Sequence, residues 1–413
     1  MSESDTLPTS AQPGAGPASP PGTARPLLFL AMAVCSAATV ANVYLAQPLL
    51  ALFADDLGVS SSAAGTVVTC AQLGYAAGIL FLVPLGDIRR RRPLLTTMLV
   101  CTVLALLAAA AAPGLSVLAA SAALVGGATV IPQVLVPLAS ELAPPQRRAS
   151  IVANVQIGLM TGIVGSRVIG GLVGEALSWR AMYLLAAVLT ALTGAVTVAL
   201  LPREGARKAL PYRQLLGSLP RLLRQEPVLR HSCLMHSALF GAYTATWTTL
   251  VFALADEPYG YSSATAGLFG LLGLAGAFAA PWAGRFIDRR AAAPIITVAL
   301  LLMVVSAGAY WFGGSLIAFM ILAVMLANVS VQWSQIANQA RIFSYLPEAR
   351  SRANTVYMVA AFLSGAVAAA LGSVCYGAFG WGGACALQAA LAAAGLLVVP
   401  AMRRHDTHRA PAA

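Results

Sequence analysis

Charge is what this sequence has least of. Only 9% of its 413 residues are Asp, Glu, Lys or Arg and 59% are hydrophobic, whereas soluble domains carry about 25% charged and roughly 45–50% apolar residues. That composition excludes a soluble enzyme, a disordered chain and a small disulfide scaffold. Lysine is almost absent, Lys208 being the only one. With it goes any GxxxxGKS/T loop, so this chain does not drive a pump with ATP on its own. HExxH, a pair of aspartates within apolar runs and a Ser–His constellation are missing as well, which argues against an intramembrane enzyme. The cysteines, Cys35, Cys70, Cys101, Cys233, Cys375 and Cys385, all fall inside apolar runs and form no CxxC pair. They read as small core hydrophobes, with neither a metal nor a disulfide role.

What is there is a series of long apolar runs. Crossing about 30 Å of hydrocarbon takes roughly 20 helical residues. Polar punctuation marks twelve such runs, at 27–50, 63–84, 93–112, 115–139, 150–174, 179–201, 231–254, 263–283, 293–312, 315–340, 352–377 and 380–402. Residues 1–26 are rich in Pro, Ser, Gly and Ala, with one basic residue, Arg25. They lack the charged start and apolar stretch of a secretory signal and read as a disordered cytoplasmic tail. The net charge of +11 could suggest nucleic acid, but the basic residues recur in short clusters between apolar runs, so no nucleic-acid partner is expected. With the N-terminus inside, every one of the 25 Lys and Arg residues except Arg167 and Arg180 falls in a cytoplasmic segment. Basic residues accumulate on that side, which puts both termini in the cytoplasm.

The longest inner connection, 202–230, divides the runs six and six, and the halves repeat each other. GVSSSAAG at 58–65 matches GYSSATAG at 260–267 at an offset of 202. Asp87 and Asp288 are 201 apart, Gln133 and Gln335 202, Asn154 and Asn354 200, and Trp179 and Trp381 202. The expected fold is an all-α membrane protein with 12 transmembrane helices in two pseudo-symmetric six-helix bundles. Its parts are a tail 1–26, an N-terminal bundle 27–201, a cytoplasmic linker 202–230, a C-terminal bundle 231–402 and a tail 403–413. Duplicated units of this kind place the binding site at the midplane between the halves.

The most specific motif is PLGDIRRRR at 84–92, with a second copy, GRFIDRR, at 284–290. It resembles the loop between the second and third spans of the major facilitator superfamily, where an Asp is followed four and five residues on by basic residues. The resemblance covers essentially everything after the tail. It implies a gate at Asp87 with Arg91 and Arg92, and a second at Asp288 with Arg289, whose contacts latch the halves. It also implies that the first, fourth, seventh and tenth spans line the cavity. NQARIFSYLPEARSRANTVYM at 338–358 resembles a bacterial exporter-like branch whose members look like drug/proton antiporters. GLMTGIVGSRVIGG at 158–171 is similar to the fifth-span antiporter motif, with Ser166–Arg167 where Gly–Pro would stand.

Arg167 is the one ionisable group clearly inside a span. An intramembrane Arg costs at least about 2.5–3.5 kcal/mol at a helix centre and usually faces a cavity or a partner. Counted from Gly174 it lies about 10 Å from the outer end, so it is expected either in the cavity or reaching outward to Glu175. Gly158, Gly162, Ser166, Gly170 and Gly174 around it form a ribbon that lets a neighbouring helix approach closely, a sliding surface during alternation. In the tenth run Asn328, Gln332, Gln335 and Gln339 step by four, three and four and share one face. Lipid contact would leave these amides unsatisfied, so they are expected in the cavity. Gln133, between Pro132 and Pro137, is the counterpart of Gln335. Asn42, Tyr44 and Gln47 in the first run, and Tyr243, Thr246 and Trp247 in the seventh, complete the expected lining. His236, titrating near neutrality, is the candidate proton carrier, because none of the fourteen acids lies in the middle of a span.

These residues lead to the expectation of a secondary active transporter, proton-coupled and exporting small amphipathic molecules by alternating access. Amides, aromatics and one Arg suit neutral or anionic compounds better than cations. Uptake of a small metabolite or organic anion is the alternative on the same fold. No cofactor beyond the proton gradient and no metal are expected. The expected partners are a small-molecule substrate and the lipid bilayer, with the protein a monomer.

Overall fold

The computed structural model describes residues 24–202, 211–289 and 292–408, apart from the side chains of Ala24, Arg25, Asp87, Pro145, Ala149, Asp288, Arg289 and His408. All regular structure among the described residues is helical. Eleven helical segments are long and apolar enough to cross a membrane. They are α1 (Pro26–Asp56), α2 (Ser61–Phe81), α3 (Arg91–Ala110), α4 (Leu115–Leu142), α5 (Ser150–Ala176), α6 (Trp179–Leu200), α7 (Pro227–Ala255), α8 (Ser263–Ile287), α9 (Ala292–Gly313), α10 (Ile317–Tyr345) and a last segment, Pro347–Thr407.

That last segment is 61 residues long, or about 90 Å as one helix, three times the hydrocarbon core. Gly380 breaks it, at φ 62° and ψ −153°, a backbone that favours glycine. Before the break α11 (350–379) runs alongside α7, with Gly365 against Phe240 and Gly372 against Ala245. After it α12 (381–397) turns back, with Trp381 donating to the Tyr310 carbonyl at 2.8 Å and Gly395 against Leu300. The spans therefore number twelve.

The internal repeat survives as conformation. Gly58 and Gly260 both have positive φ, 61° and 57°. Two residues on, Ser60 accepts from the Ala63 amide at 3.2 Å and Ser262 from the Thr265 amide at 3.3 Å. Each serine satisfies an amide that the first helical turn leaves unpaired, so α2 and α8 start in the same way. Six helices of each half form a bundle. Within the first, α2 and α4 approach so closely that a methyl on Gly74 or Gly78 would overlap the carbonyl of Ala123 or Gly127, the small-residue packing expected in lipid. The glycine ribbon of α5 packs likewise, but onto α1 of its own bundle: Gly158 faces Ala33, Gly162 faces Ala37 and Gly174 faces Leu49. It is not a sliding surface between the halves. Outside the bundles Leu104, Leu124, Leu192, Phe278 and Val374 stay exposed; such a continuous apolar surface is what hydrocarbon solvates.

The halves meet at the arginine-poor end. There Phe252 and Ala369 of the second bundle join a core cluster with Leu49, Phe53 and Val67 of the first. Contacts of α5 with α8 are concentrated along residues 263–273 of α8, where Gly171 abuts Ser263 and Gly267. At the arginine-rich end the linker helix Tyr212–Gln225 lays Leu216, Leu219, Leu222 and Leu223 against Leu80, Leu229, Ile342 and Tyr357. Tyr212 donates to the Phe81 carbonyl at 2.7 Å, and burial raises its phenol pKa.

Candidate functional site

Between the bundles, where α5 and α8 part, lies a cavity of about 80 Å³. Its walls come from α1 (Tyr44), α5 (Met160, Ile163, Val164, Arg167), α7 (Phe240, Tyr243), α8 (Gly273, Gly276, Ala277) and α10 (Asn328, Val331, Gln332, Gln335). Apolar walls with a few convergent polar groups are the usual make-up of a small-molecule site.

Arg167 organises the polar part. Its side chain is 1% exposed and neither reaches outward nor pairs with Glu175, which instead accepts from the Ala264 amide of α8 at 2.7 Å. Arg167 Nε donates to Gln47 Oε1 at 3.0 Å, and Nη2 to the Tyr243 hydroxyl at 2.9 Å. Tyr243 passes its own hydrogen to Asn328 Oδ1 at 3.2 Å. The guanidinium carbon lies 3.9 Å from the Trp247 ring centre, 5.3 Å from Tyr44 and 5.7 Å from Tyr243. Aromatic faces carry negative quadrupole density and hold a desolvated guanidinium without a counter-ion. Nη1 is buried and makes no hydrogen bond.

Eight of the residues expected in the lining thus meet here: Arg167, Tyr44, Gln47, Tyr243, Trp247, Asn328, Gln332 and Gln335. Gln47 and Trp247 act behind Arg167 rather than on the wall. Asn42, expected with them, points the other way. It is 4% exposed and donates to Thr190 Oγ1 at 3.1 Å and Thr129 Oγ1 at 3.4 Å, so it ties α1 to α6 and α4 inside the first bundle. Gln133 lies 3.5 Å from the Tyr75 hydroxyl, off the cavity wall. The α4 helix breaks between Ala128 and Pro132, because Pro132 has no amide to continue the ladder. Gln339 leaves the amide stripe to donate to Asn354 Oδ1 at 3.1 Å. Thr246 returns its hydroxyl to the Ala242 carbonyl at 2.9 Å. His236 is buried between α7, α10 and α11, with Nδ1 3.0 Å from Ser334 Oγ and its ring stacked 4.9 Å from Tyr357.

At the arginine-rich end the expected gate is seen in part. The side chains of Asp87, Asp288 and Arg289 lie outside the described residues, and Arg92 is half-buried. Arg91 is buried and binds Glu141 of α4 through two 2.6 Å bonds, with Nε on the Gly86 carbonyl at 3.3 Å. The sequence reading missed Glu141, and also Arg341, which pairs with Asp406 at 2.7 and 3.1 Å. Asp406 falls in the stretch 403–413 expected as a tail; the helix Val399–His408 brings it to Arg341.

A family model describing the Major Facilitator Superfamily matches residues 32–340. A probable transporter of Streptomyces coelicolor is 44% identical over 372 residues, covering 90% of this chain and 86% of the relative. Multidrug resistance protein D of Escherichia coli is 26% identical over 261 residues, 63% of this chain and 65% of the relative. Among solved structures, a bacterial homologue of the human lysosomal transporter Spinster, inward-facing and unoccupied, superposes with a TM-score of 0.72 at 14% identity. That match covers 93% of this chain and 96% of the other, and it is a likeness of fold.

Proposed function

The chain belongs to the Major Facilitator Superfamily and is a membrane transporter rather than an enzyme; from that premise we propose that it exports small amphipathic molecules across a bacterial inner membrane. The observation that carries this reading is the cavity between the bundles, apolar on most walls and centred on a buried, caged Arg167. Alternating access follows from its position. The halves pack together at the arginine-poor end, and on this reading the cavity is entered from the other end, with rocking of the bundles reversing that access. The distribution of arginines supports a cytoplasmic placement of that end and of both termini. The relative named for multidrug resistance supports export over import.

On this reading Asp87 with Arg91 and Arg92, and Asp288 with Arg289, latch the halves as they rock. Gln332, Gln335 and Asn328 bond the polar part of the substrate. The proton gradient supplies the energy without a cofactor, and His236, hydrogen-bonded between α7 and α10, carries the proton. One chain supplies both halves of the cavity, so a monomer suffices. Uptake of a small metabolite or organic anion is the second reading, favoured by the bond Arg167 leaves open.

The test is a toxic-compound susceptibility panel in a pump-deleted bacterial host, comparing wild type, Asp87→Asn, Arg167→Ala and His236→Gln at matched membrane levels. Wild type is expected to protect, and the three variants to lose protection. Well-expressed wild type that protects against no cationic, neutral or anionic compound would count against export. Concentration of labelled solute by right-side-out cells would then establish uptake.

A further inference from the structure

Among the described residues three arginines are buried almost completely: Arg91 at 3%, Arg341 at 2% and Arg167 at 1% exposed. Two of them have a carboxylate, Glu141 for Arg91 and Asp406 for Arg341. The third has none among the described residues, and no acid in the sequence lies in the middle of a span to supply one. A buried charge without a partner is costly, and an opposite charge brought to it is held strongly because little water competes.

The bonds that Arg167 does make leave one direction free. Nε and Nη2 are spent on Gln47 and Tyr243, and Trp247 covers a face of the guanidinium at 3.9 Å. Nη1 keeps its hydrogens unused in the guanidinium plane. That is the plane in which carboxylates and other oxyanions bind arginine. In front of Nη1 stands Gly273 of α8. A methyl there would come within 4.0 Å of Nη1 and 3.5 Å of Asn328 Oδ1, so the missing side chain leaves the narrow space between Nη1 and the cavity unfilled.

We infer that the substrates are amphipathic organic monoanions, whose single carboxylate docks on Arg167 Nη1 beside Gly273 and takes the place that Glu141 and Asp406 fill for the other two arginines. The inference rests on the cavity being the substrate site, as proposed above. One free nitrogen and one uncompensated charge select one carboxylate; a second would meet no cation. The apolar body lies against Phe240 and Val331, and a cationic head group would face Arg167 itself.

The test uses the purified full chain in liposomes and follows counterflow, which needs neither a chosen direction nor an energy source. The probes are 4-phenylbutyrate, its neutral amide and the corresponding primary amine, alike in size and differing in charge. The carboxylate is expected to exchange at least about tenfold faster than the amide or amine, the effect of one hydrogen bond to a charged group. Arg167→Gln should erase that preference and Arg167→Lys keep part of it. Gly273→Ala, whose methyl meets nothing nearer than Val164 Cγ2 at 3.4 Å, should slow carboxylate exchange several-fold without lowering thermal stability. Equal exchange of all three probes, unchanged in Arg167→Gln, would overturn the monoanion inference and leave the transport reading standing. No exchange of any probe by folded wild type would count against both.

Discussion

Gly267 is where rocking of the halves can be tested with a single methyl group. It lies in α8 at the crossing with α5, one of the close backbone approaches between the bundles at the arginine-poor end. A methyl there would sit 2.5 Å from the Arg167 carbonyl oxygen and 3.2 Å from Gly171 Cα. Ordinary contact begins near 3.4 Å, so the two backbones must part by about 1 Å, and neither can yield by rotating a side chain. Overpacking of this kind costs about 1–3 kcal/mol. The cost falls only on the state in which these ends are together, because separated ends have no clash. Gly267→Ala is therefore expected to raise the ratio of open to closed arginine-poor ends by about 5- to 150-fold. The assay is a spin-label distance measurement between labels at Leu177 and Glu257, both exposed beside this end, in a background with the native cysteines replaced. A longer-distance population should grow, and transport should slow because closure at this end becomes difficult. Gly165→Ala is the control: its methyl meets nothing nearer than Ile169 Cδ1 of its own helix at 4.0 Å. An unchanged distance distribution in Gly267→Ala would refute the reasoning.

Asn42→Ala should act on stability and not on selectivity, because Asn42 bonds Thr129 and Thr190 inside the first bundle. Leaving those buried groups short of a partner costs about 1–3 kcal/mol, read as a lower unfolding midpoint in detergent; an altered substrate spectrum would return Asn42 to the cavity. Arg91→Ala is expected to lower thermal stability more than Arg92→Ala, since Arg91 is buried and doubly bonded to Glu141. Glu141 is 52% exposed, so solvent screening trims that pair, and equal losses in the two variants would show that it adds nothing.

The number of spans, their grouping six and six, and the places where the chain turns are written in the order of residues along the chain. Those follow from local quantities: the length of an apolar run against the thickness of a bilayer, a glycine that adopts positive φ, a serine that caps the next helix. The repeat at residues 58–65 and 260–267 was legible for the same reason, since identical local chemistry gives identical turns. Burial of Arg167 was half legible. An unpaired charge in a span demands a cavity or an escape, and only the packing of α1, α7 and α8 around it closed off the escape toward Glu175. Direction within a bundle was not legible at all. Asn42 and Gln47 are five residues apart on one amphipathic-looking stretch, yet one bonds the inside of its bundle and the other the back of Arg167. A helix in lipid hides polar groups on every protein-facing side, and periodicity cannot say which neighbour stands there. Arg91 with Glu141, and Arg341 with Asp406, are separated by 50 and 65 residues. No local pattern links residues so far apart, and their pairing was decided by where the helices end in space.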